Sequence, residues 1–236
     1  MKNILTQSLA KNFLPGVRGN IHNISPMAYN FNKNGLNGSV SMLNAQRSAI
    51  ELIQHFFSPI KALASKPVFT ITSNKVIINI FYLMPVKTQA LNINTINNLG
   101  ERLSKLFGRP VELRLVRLHY PYLNSYILAQ FVALNTKKYN FVRIQRIIFS
   151  KAAIVKDTDS NKALASELPS HIVGIKIRIS GRLVTERSRP RQTVQTAEIG
   201  SFVKDNKSIV ETALYTDKNK KGAFTVKVWI SQRINS

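Results

Sequence analysis

A stretch of alternating side chains that begins at Gly174 constrains the fold of this chain more than any other feature. Isoleucines on one side alternate with cations on the other: Ile175, Ile177 and Ile179 against Lys176 and Arg178. This two-residue period predicts a half-buried β-strand with a basic outer face. An arginine-rich run follows: Arg182, Arg187, Arg189 and Arg191. A strand and turn that hold cations in place suit a polyanion, whereas a solvated strand with a charged loop is the plainer alternative.

The net charge of the whole chain favours the polyanion. The 236 residues include 34 Lys and Arg against 11 Asp and Glu, which gives a formal charge of +23. Such a field destabilises a compact protein by self-repulsion unless a partner neutralises it. The hydrophobic content of 44% excludes a disordered basic tail. Nucleic acid is therefore the first candidate partner. An anionic membrane surface is second, with no apolar run long enough to predict membrane spanning.

The residues that catalysis needs are sparse in the sequence. There is no cysteine, and the four histidines are far apart and lack metal-ligand spacing. No glycine-rich phosphate-binding motif follows a predicted strand. Asp157 and Asp159 lie in a polar segment without a suggested partner. A nucleic-acid enzyme such as a repair nuclease would need an acidic cluster to hold its metal ions. The sequence thus predicts no enzyme, no metal site and no cofactor.

The first half of the chain divides into an arm and a small domain. Residues 1–40 are rich in Asn and Gly. This composition predicts an extended N-terminal arm that becomes ordered only against a partner. Residues 41–120 predict a helix from Ser41, strands Val68–Ile71 and Val76–Leu83, and a connector Met84–Asn94. A second helix capped by Thr95 and closed by Gly108 follows, then a strand from Val111.

The second half, residues 121–236, predicts helices and strands after a boundary near Pro121. Asn124 is placed to cap an apolar helix, and another helix starts near Phe141 with a buried stripe of Phe141, Ile144, Ile147 and Ile148. Residues 156–169 are interpreted as a surface insertion. The last strand alternates in the same way. One face carries Phe224, Val226, Val228 and Ile230, and the other carries Thr225, Lys227 and Trp229. The fold class is α+β, with a C-terminal mixed β-sheet flanked by helices.

Three segments carry a resemblance to a known family. They are FGRPVELRLVRLHYPYLNSYILAQFVAL from Phe107, NFVRIQRII from Asn140, and GIKIRISGRL from Gly174 combined with FTVKVWI from Phe224. From Gly100 onward the chain resembles the small-subunit ribosomal protein three family, whose members lie in the head at the mRNA entrance. PRQTVQTAEIGS from Pro190 and NKKGAF from Asn219 are similar to its fungal mitochondrial branch.

The resemblance implies a type II KH domain over residues 41–120, ordered helix, strand, strand, helix, helix, strand. One helix is only a connector here, and Met84–Asn94 contains no glycine for the GxxG loop with which a KH domain clamps nucleic acid. The domain is thus a degenerate KH domain that serves as a scaffold. By the same resemblance Arg143 and Arg146 line the channel for incoming mRNA, with Val142 in place of a third cation.

The implied function is that of a structural constituent of the mitochondrial small ribosomal subunit, in the mitochondrial matrix. Its partners would be small-subunit ribosomal RNA, mRNA at the entrance channel and neighbouring head proteins. The candidate RNA-binding residues are Lys137, Lys138, Arg143, Arg146, Lys176, Arg178, Arg182, Arg187, Arg189, Arg191, Lys220 and Lys221, on a surface expected to lack obvious aromatic platforms. The alternative is a free organellar RNA-binding factor, an RNA chaperone or a splicing helper, because charge and KH topology fit it equally.

Overall fold

The computed structural model describes residues 35–72, 74–84, 91–152, 154, 170–185, 193–203 and 208–234. These residues form two compact units, which divide between Tyr120 and Pro121. The first unit contains α1 (Gly35–Phe57), β1 (Leu63–Ala64), β2 (Val68–Ile71), β3 (Val76–Leu83), α2 (Ile93–Phe107) and β4 (Val111–Leu118). The second contains a 3-10 turn (Pro121–Leu123), α3 (Ser125–Asn135), α4 (Phe141–Lys151), β5 (Ser170–Gly181), β6 (Val194–Gly200), β7 (Ser208–Asn219) and β8 (Gly222–Ile234).

Strand β3 is the centre of the first unit's sheet. It pairs in parallel with β4 along its whole length, from Val76 opposite Val111 to Leu83 opposite Leu118. Strands β1 and β2 pair antiparallel with β3 and therefore share its other edge. Residues of the apolar stripes of α1 and α2 are buried with β3 in one core: Ile53, Phe57, Leu99, Leu103, Ile78 and Ile80. The bounds of β2 and β3 confirm the predicted strands.

Helix α2 begins earlier than its predicted cap. Asn92 is the N-cap, and its side chain accepts a hydrogen bond from the Asn94 amide at 3.2 Å. Thr95 instead lies in the first turn and donates its hydroxyl to the Asn92 carbonyl at 2.7 Å. Either residue could cap the helix. Asn92 does so because its side chain reaches the free amide of Asn94, two positions further along the chain. Gly108 ends the helix in the left-handed conformation with φ 62°, as its position predicts.

The second unit has a four-stranded sheet in the order β6, β5, β8, β7. Helix α3 packs over β7 and β8, and α4 lies against β6. Their buried side chains share one core with the inward residues of β5 and β8: Leu128, Val132, Ile144, Ile148, Ile175, Ile177, Val226 and Val228. Each Å² of apolar area that this contact removes from water stabilises the unit by roughly 25 cal/mol. The Asn124 cap is confirmed, with bonds from the Tyr126 and Ile127 amides at 3.1 Å.

Three further sequence predictions need correction. The second unit's sheet is not mixed, because every described pair of its strands is antiparallel. Helix α1 starts at Gly35, so residues 35–40 are helical rather than extended; adding a turn to a packed helix costs far less than starting one. Ile147 is 36% exposed and lies beside the buried stripe of α4, which Phe141, Ile144 and Ile148 form. Residues 1–34, and the predicted insertion 156–169, lie outside the described residues.

Candidate nucleic-acid interface

Helix α4 and the turn before it carry four of the predicted cations, which we call the helical surface: Lys137, Lys138, Arg143 and Arg146. The buried residues Phe141, Ile144 and Ile148 fix the rotation of α4 against the sheet. At about 100° per residue, Arg143 and Arg146 point almost directly away from that core and lie side by side. Both are exposed. The helical surface thus presents cations on the side of the helices that faces away from the sheet.

Contacts within the unit already engage part of the helical surface. The guanidinium carbon of Arg143 lies 4.5 Å from the centre of the Tyr139 ring, a cation–π contact that orders this arginine. Lys137 Nζ lies 3.1 Å from Asp217 Oδ2, so this lysine is partly neutralised. Neither Lys138 nor Arg146 forms an ion pair with any carboxylate in the described part of the chain. Those two cations and Arg143 therefore remain available to phosphates.

The other face of the C-terminal sheet is lined by outward side chains of all four strands, and we call it the open face. Cross-strand register places them in three rows, each in the order β6, β5, β8, β7. The rows are Glu198, Lys176, Trp229 and Thr212; Thr196, Arg178, Lys227 and Leu214; and Val194, Ser180, Thr225 and Thr216. Since the intervening residues of β5 and β8 are in the core, the open face and the helical surface lie on opposite sides of the sheet.

The middle of the open face is positively charged. Arg178 on β5 lies directly opposite Lys227 on β8. Lys176 is their neighbour and contacts Glu198 on β6, with its Nζ 2.7 Å from a carboxylate oxygen. Like charges directly opposite each other destabilise a sheet. The face therefore retains a repulsion that an anionic ligand would relieve.

Trp229 lies beside these cations and was not among the predicted site residues. Lys227 Nζ is 4.8 Å and Lys176 Nζ 5.9 Å from its ring centre. The indole is partly exposed, so an aromatic ring lies on a surface that was expected to lack obvious aromatic platforms. The alternation in β8 places Lys227 and Trp229 on one face. Strand order was the missing information, because it brings them next to Lys176 and Arg178.

A third group of predicted cations meets where β5 ends and β7 turns into β8. The side-chain amide of Asn219 donates to the Arg182 carbonyl at 2.7 Å, and its carbonyl oxygen accepts from the Lys221 amide at 2.8 Å. Asn219 thereby holds the segment after β5 against the Lys220–Lys221 turn. We call Arg182, Lys220 and Lys221 the turn cluster. Arg187, Arg189 and Arg191 lie outside the described residues and stay predictions.

A partly buried carboxylate supports the helix layer. Glu211 on β7 accepts hydrogen bonds from the Ser125 amide at 3.4 Å and the Asn124 side chain at 3.5 Å, at the start of α3. Burial raises the pKa of Glu211, and its bonds from Ser125 oppose that shift. Anions are stabilised at helix N-termini, so the arrangement is explained structurally. Within the described ranges no group of three or more His, Asp or Glu residues could hold a metal ion.

Comparison with known proteins identifies the family. Residues 62–233 match the model of the family described as mitochondrial ribosomal protein (VAR1). The chain belongs to this family. It is also 38% identical to the small ribosomal subunit protein uS3m of the fungus Mycosarcoma maydis over 190 residues, covering 72% of this chain and 68% of the relative.

Family membership confirms the resemblance seen in the sequence, including its fungal mitochondrial character. The chain is a structural protein of the mitochondrial small ribosomal subunit, and its place of action is the ribosome of the mitochondrial matrix. The family is structural rather than enzymatic. None of the helices described here is long and apolar enough to cross a membrane.

Proposed function

We propose that this structural constituent of the mitochondrial small ribosomal subunit binds ribosomal RNA in the head and contributes to the mRNA entrance. One observation carries the proposal: a protein of this family presents separate cationic surfaces on the two sides of its C-terminal sheet. A protein between two RNAs needs such a division, because each surface neutralises phosphates of a different molecule. Neighbouring proteins of the head complete its environment.

The two surfaces take different partners in this proposal. The open face and the turn cluster contact ribosomal RNA, where phosphate contacts fix the protein's position without reading sequence. The helical surface faces incoming mRNA, since Arg143 and Arg146 are exposed and point away from the sheet. Val142 beside them is 62% exposed and uncharged. The basic lining is therefore two arginines and the lysines of the preceding turn.

The first unit is a degenerate type II KH domain in this proposal and acts as a scaffold. Its described elements follow the order helix, strand, strand, helix, strand, with β1 as a short additional strand. This is the type II KH order without one of its two middle helices. The segment Met84–Asn94 has no glycine, so it lacks the residue type with which a KH loop brings its backbone close to phosphates.

The protein acts by binding and not by catalysis in this proposal. A phosphate-binding role needs only cations at fixed positions, and the described residues supply them on strands and helices rather than on mobile tails. The test of assembly is sedimentation of the full chain with mitochondrial small subunits in high salt. Co-sedimentation that survives salt washing is expected. A protein that washes off and is recovered as a free ribonucleoprotein would establish the RNA-chaperone or splicing-helper alternative instead.

The mRNA assignment is tested by changing Arg143 and Arg146 together to alanine. We expect impaired initiation or passage through structured mRNA, with nearly normal assembly of the subunit. The matched control changes Arg102 and Lys105 to alanine, since these are also two exposed cations three positions apart on a helix. An assembly defect with unchanged translation per assembled subunit would place Arg143 and Arg146 on ribosomal RNA.

A further inference from the structure

The centre of the open face combines two features that rarely meet on a merely solvated sheet. One is a block of three cations on adjacent strands, Lys176, Arg178 and Lys227, faced by Glu198 on one side only. The other is the partly exposed indole of Trp229 within this block. We propose that the open face binds an unpaired segment of RNA, with one base stacked on Trp229 and the adjacent phosphates on the three cations. This inference rests on the proposed RNA-binding function.

The indole is what distinguishes a single strand from a duplex. In a duplex the bases are stacked on one another, and a flat sheet meets only the backbone and the groove edges. An unpaired strand exposes base faces that stack on aromatic side chains while basic residues follow its phosphates. The open face supplies both kinds of contact within two adjacent rows. A surface built only for duplex backbone would have no use for Trp229.

The contacts of the two lysines show how the face can respond to such a ligand. The ammonium groups of Lys227 and Lys176 lie 4.8 and 5.9 Å from the ring centre of Trp229. Lysine side chains are long and flexible, so both groups can move from the ring to phosphates on either side of a stacked base. The ion pair between Lys176 and Glu198 is exposed, and exposed pairs are weak and screened by salt. Phosphate can therefore displace it.

Charge alone would also allow an acidic protein segment on this face. Carboxylates would satisfy the three cations, but they would not use the indole, and an extended segment would gain no stacking energy. The ligand lies on the face of the sheet and not against an unpaired edge strand. RNA is thus the occupant that uses every feature of the block. An acidic segment is one outcome of the test.

The test uses the fluorescence of Trp229, which is the only tryptophan in the chain. The full-length protein is titrated with a short single-stranded RNA of mixed sequence, the same RNA annealed to its complement, an abasic strand of equal length, and oligoglutamate. The abasic strand carries the phosphates without bases, so it measures the effect of displaced lysines alone. Quenching by the single strand is expected to exceed that caused by the other three ligands.

Affinity is measured in parallel from the anisotropy of the labelled single strand. Trp229→Ala should weaken binding roughly 5- to 150-fold, because base–aromatic stacking contributes that much. Trp229→Phe should retain most of the affinity. The matched control is Leu214→Ala, which removes an exposed apolar side chain from the same face. Circular dichroism confirms that each variant is folded.

Three results would overturn the inference. They are equal quenching by the abasic strand, unchanged affinity of Trp229→Ala, and preferential binding of oligoglutamate. If one of these results is obtained and the duplex still binds in a salt-dependent manner, only the inference about Trp229 fails. The proposed ribosomal RNA binding then stands. If no RNA binds the folded protein at all, the proposed function fails with it. The two failures are therefore distinguishable.

Discussion

Neutralising the like-charged pair at the centre of the open face should change the salt dependence of RNA binding by a calculable amount. Arg178 and Lys227 lie directly opposite each other on β5 and β8 and form no ion pair within the part of the chain that the structure describes. Each releases counterions when it meets a phosphate. For a single strand, the slope of log K against log salt changes by about 0.7 per neutralised phosphate. The double variant Arg178→Gln and Lys227→Gln should therefore reduce the steepness of this negative slope by about 1.4.

The assay is a series of binding titrations of the single-stranded RNA over a range of potassium chloride concentrations. Wild type and the double variant should converge at high salt, where counterion release contributes little, and differ most at low salt. Thermal unfolding without RNA should show equal or slightly greater stability of the variant, since a cross-strand repulsion is removed. This combination separates a lost RNA contact from a damaged fold.

Two controls make the result decisive. Glu198→Gln removes the carboxylate that competes with phosphate for Lys176, with which it forms a 2.7 Å ion pair, so it should strengthen RNA binding at low salt, opposite in sign to the double variant. Changing Arg102 and Lys105 to glutamine removes the same charge from α2. A double variant with the wild-type slope, or an α2 control with an equal loss, would refute the reasoning. The first would show solvated cations, and the second a general effect of net charge.

Four further predictions concern the framework that holds these surfaces. Ile177→Ala should destabilise the second unit by about 2–5 kcal/mol, because the side chain is fully buried in the central strand β5; chemical denaturation measures it. Asn124→Ala should cost about 1 kcal/mol through loss of the α3 cap, measured in the same way and contradicted by an unchanged midpoint. Gly200→Ala should cost at least about 1–3 kcal/mol, since φ is +85° and a Cβ would lie 2.0 Å from the Val173 carbonyl oxygen; a normal melting temperature would argue against it. Burial raises the pKa of Glu211, so its contribution to the free energy of unfolding is full at low pH and is lost as pH rises above 4.5 through the folded pKa. Glu211→Gln should remove this loss of stability with pH. Parallel stability–pH curves for the variant and the wild type would contradict it.

Local patterns explain why much of the secondary structure could be predicted. Strands Val68–Ile71 and Val76–Leu83 were predicted with their exact bounds, because apolar β-branched runs on either side of a polar turn leave few alternatives. The Asn124 cap was equally visible, since an Asn before an apolar run can satisfy the first free amides. Such signals act within a few residues and need no tertiary contact.

Predictions failed where neighbouring residues compete or distant segments decide. Asn92 and Thr95 can both cap α2, and only the backbone path into the helix selects Asn92. Ile147 fits the apolar stripe of α4 by spacing, but the width of the contact with the sheet leaves it at the edge. The two-residue turn before Gly222 indicates an antiparallel β7–β8 hairpin, but the direction in which β5 pairs with β6 and β8 had no local signal, because a strand's own alternation is the same beside a parallel or an antiparallel neighbour.

The sequence by itself determined that this chain is a basic α+β protein with cations on the outer sides of β5 and β8, because charge and two-residue alternation are properties of each segment alone. Only the tertiary structure decided which of those cations meet. Strand order and register put Arg178 opposite Lys227, and Lys176 opposite Trp229, across about fifty residues of chain. Pairing is selected by the core that the two strands bury together, so the composition of the open face follows from packing on the other side of the sheet.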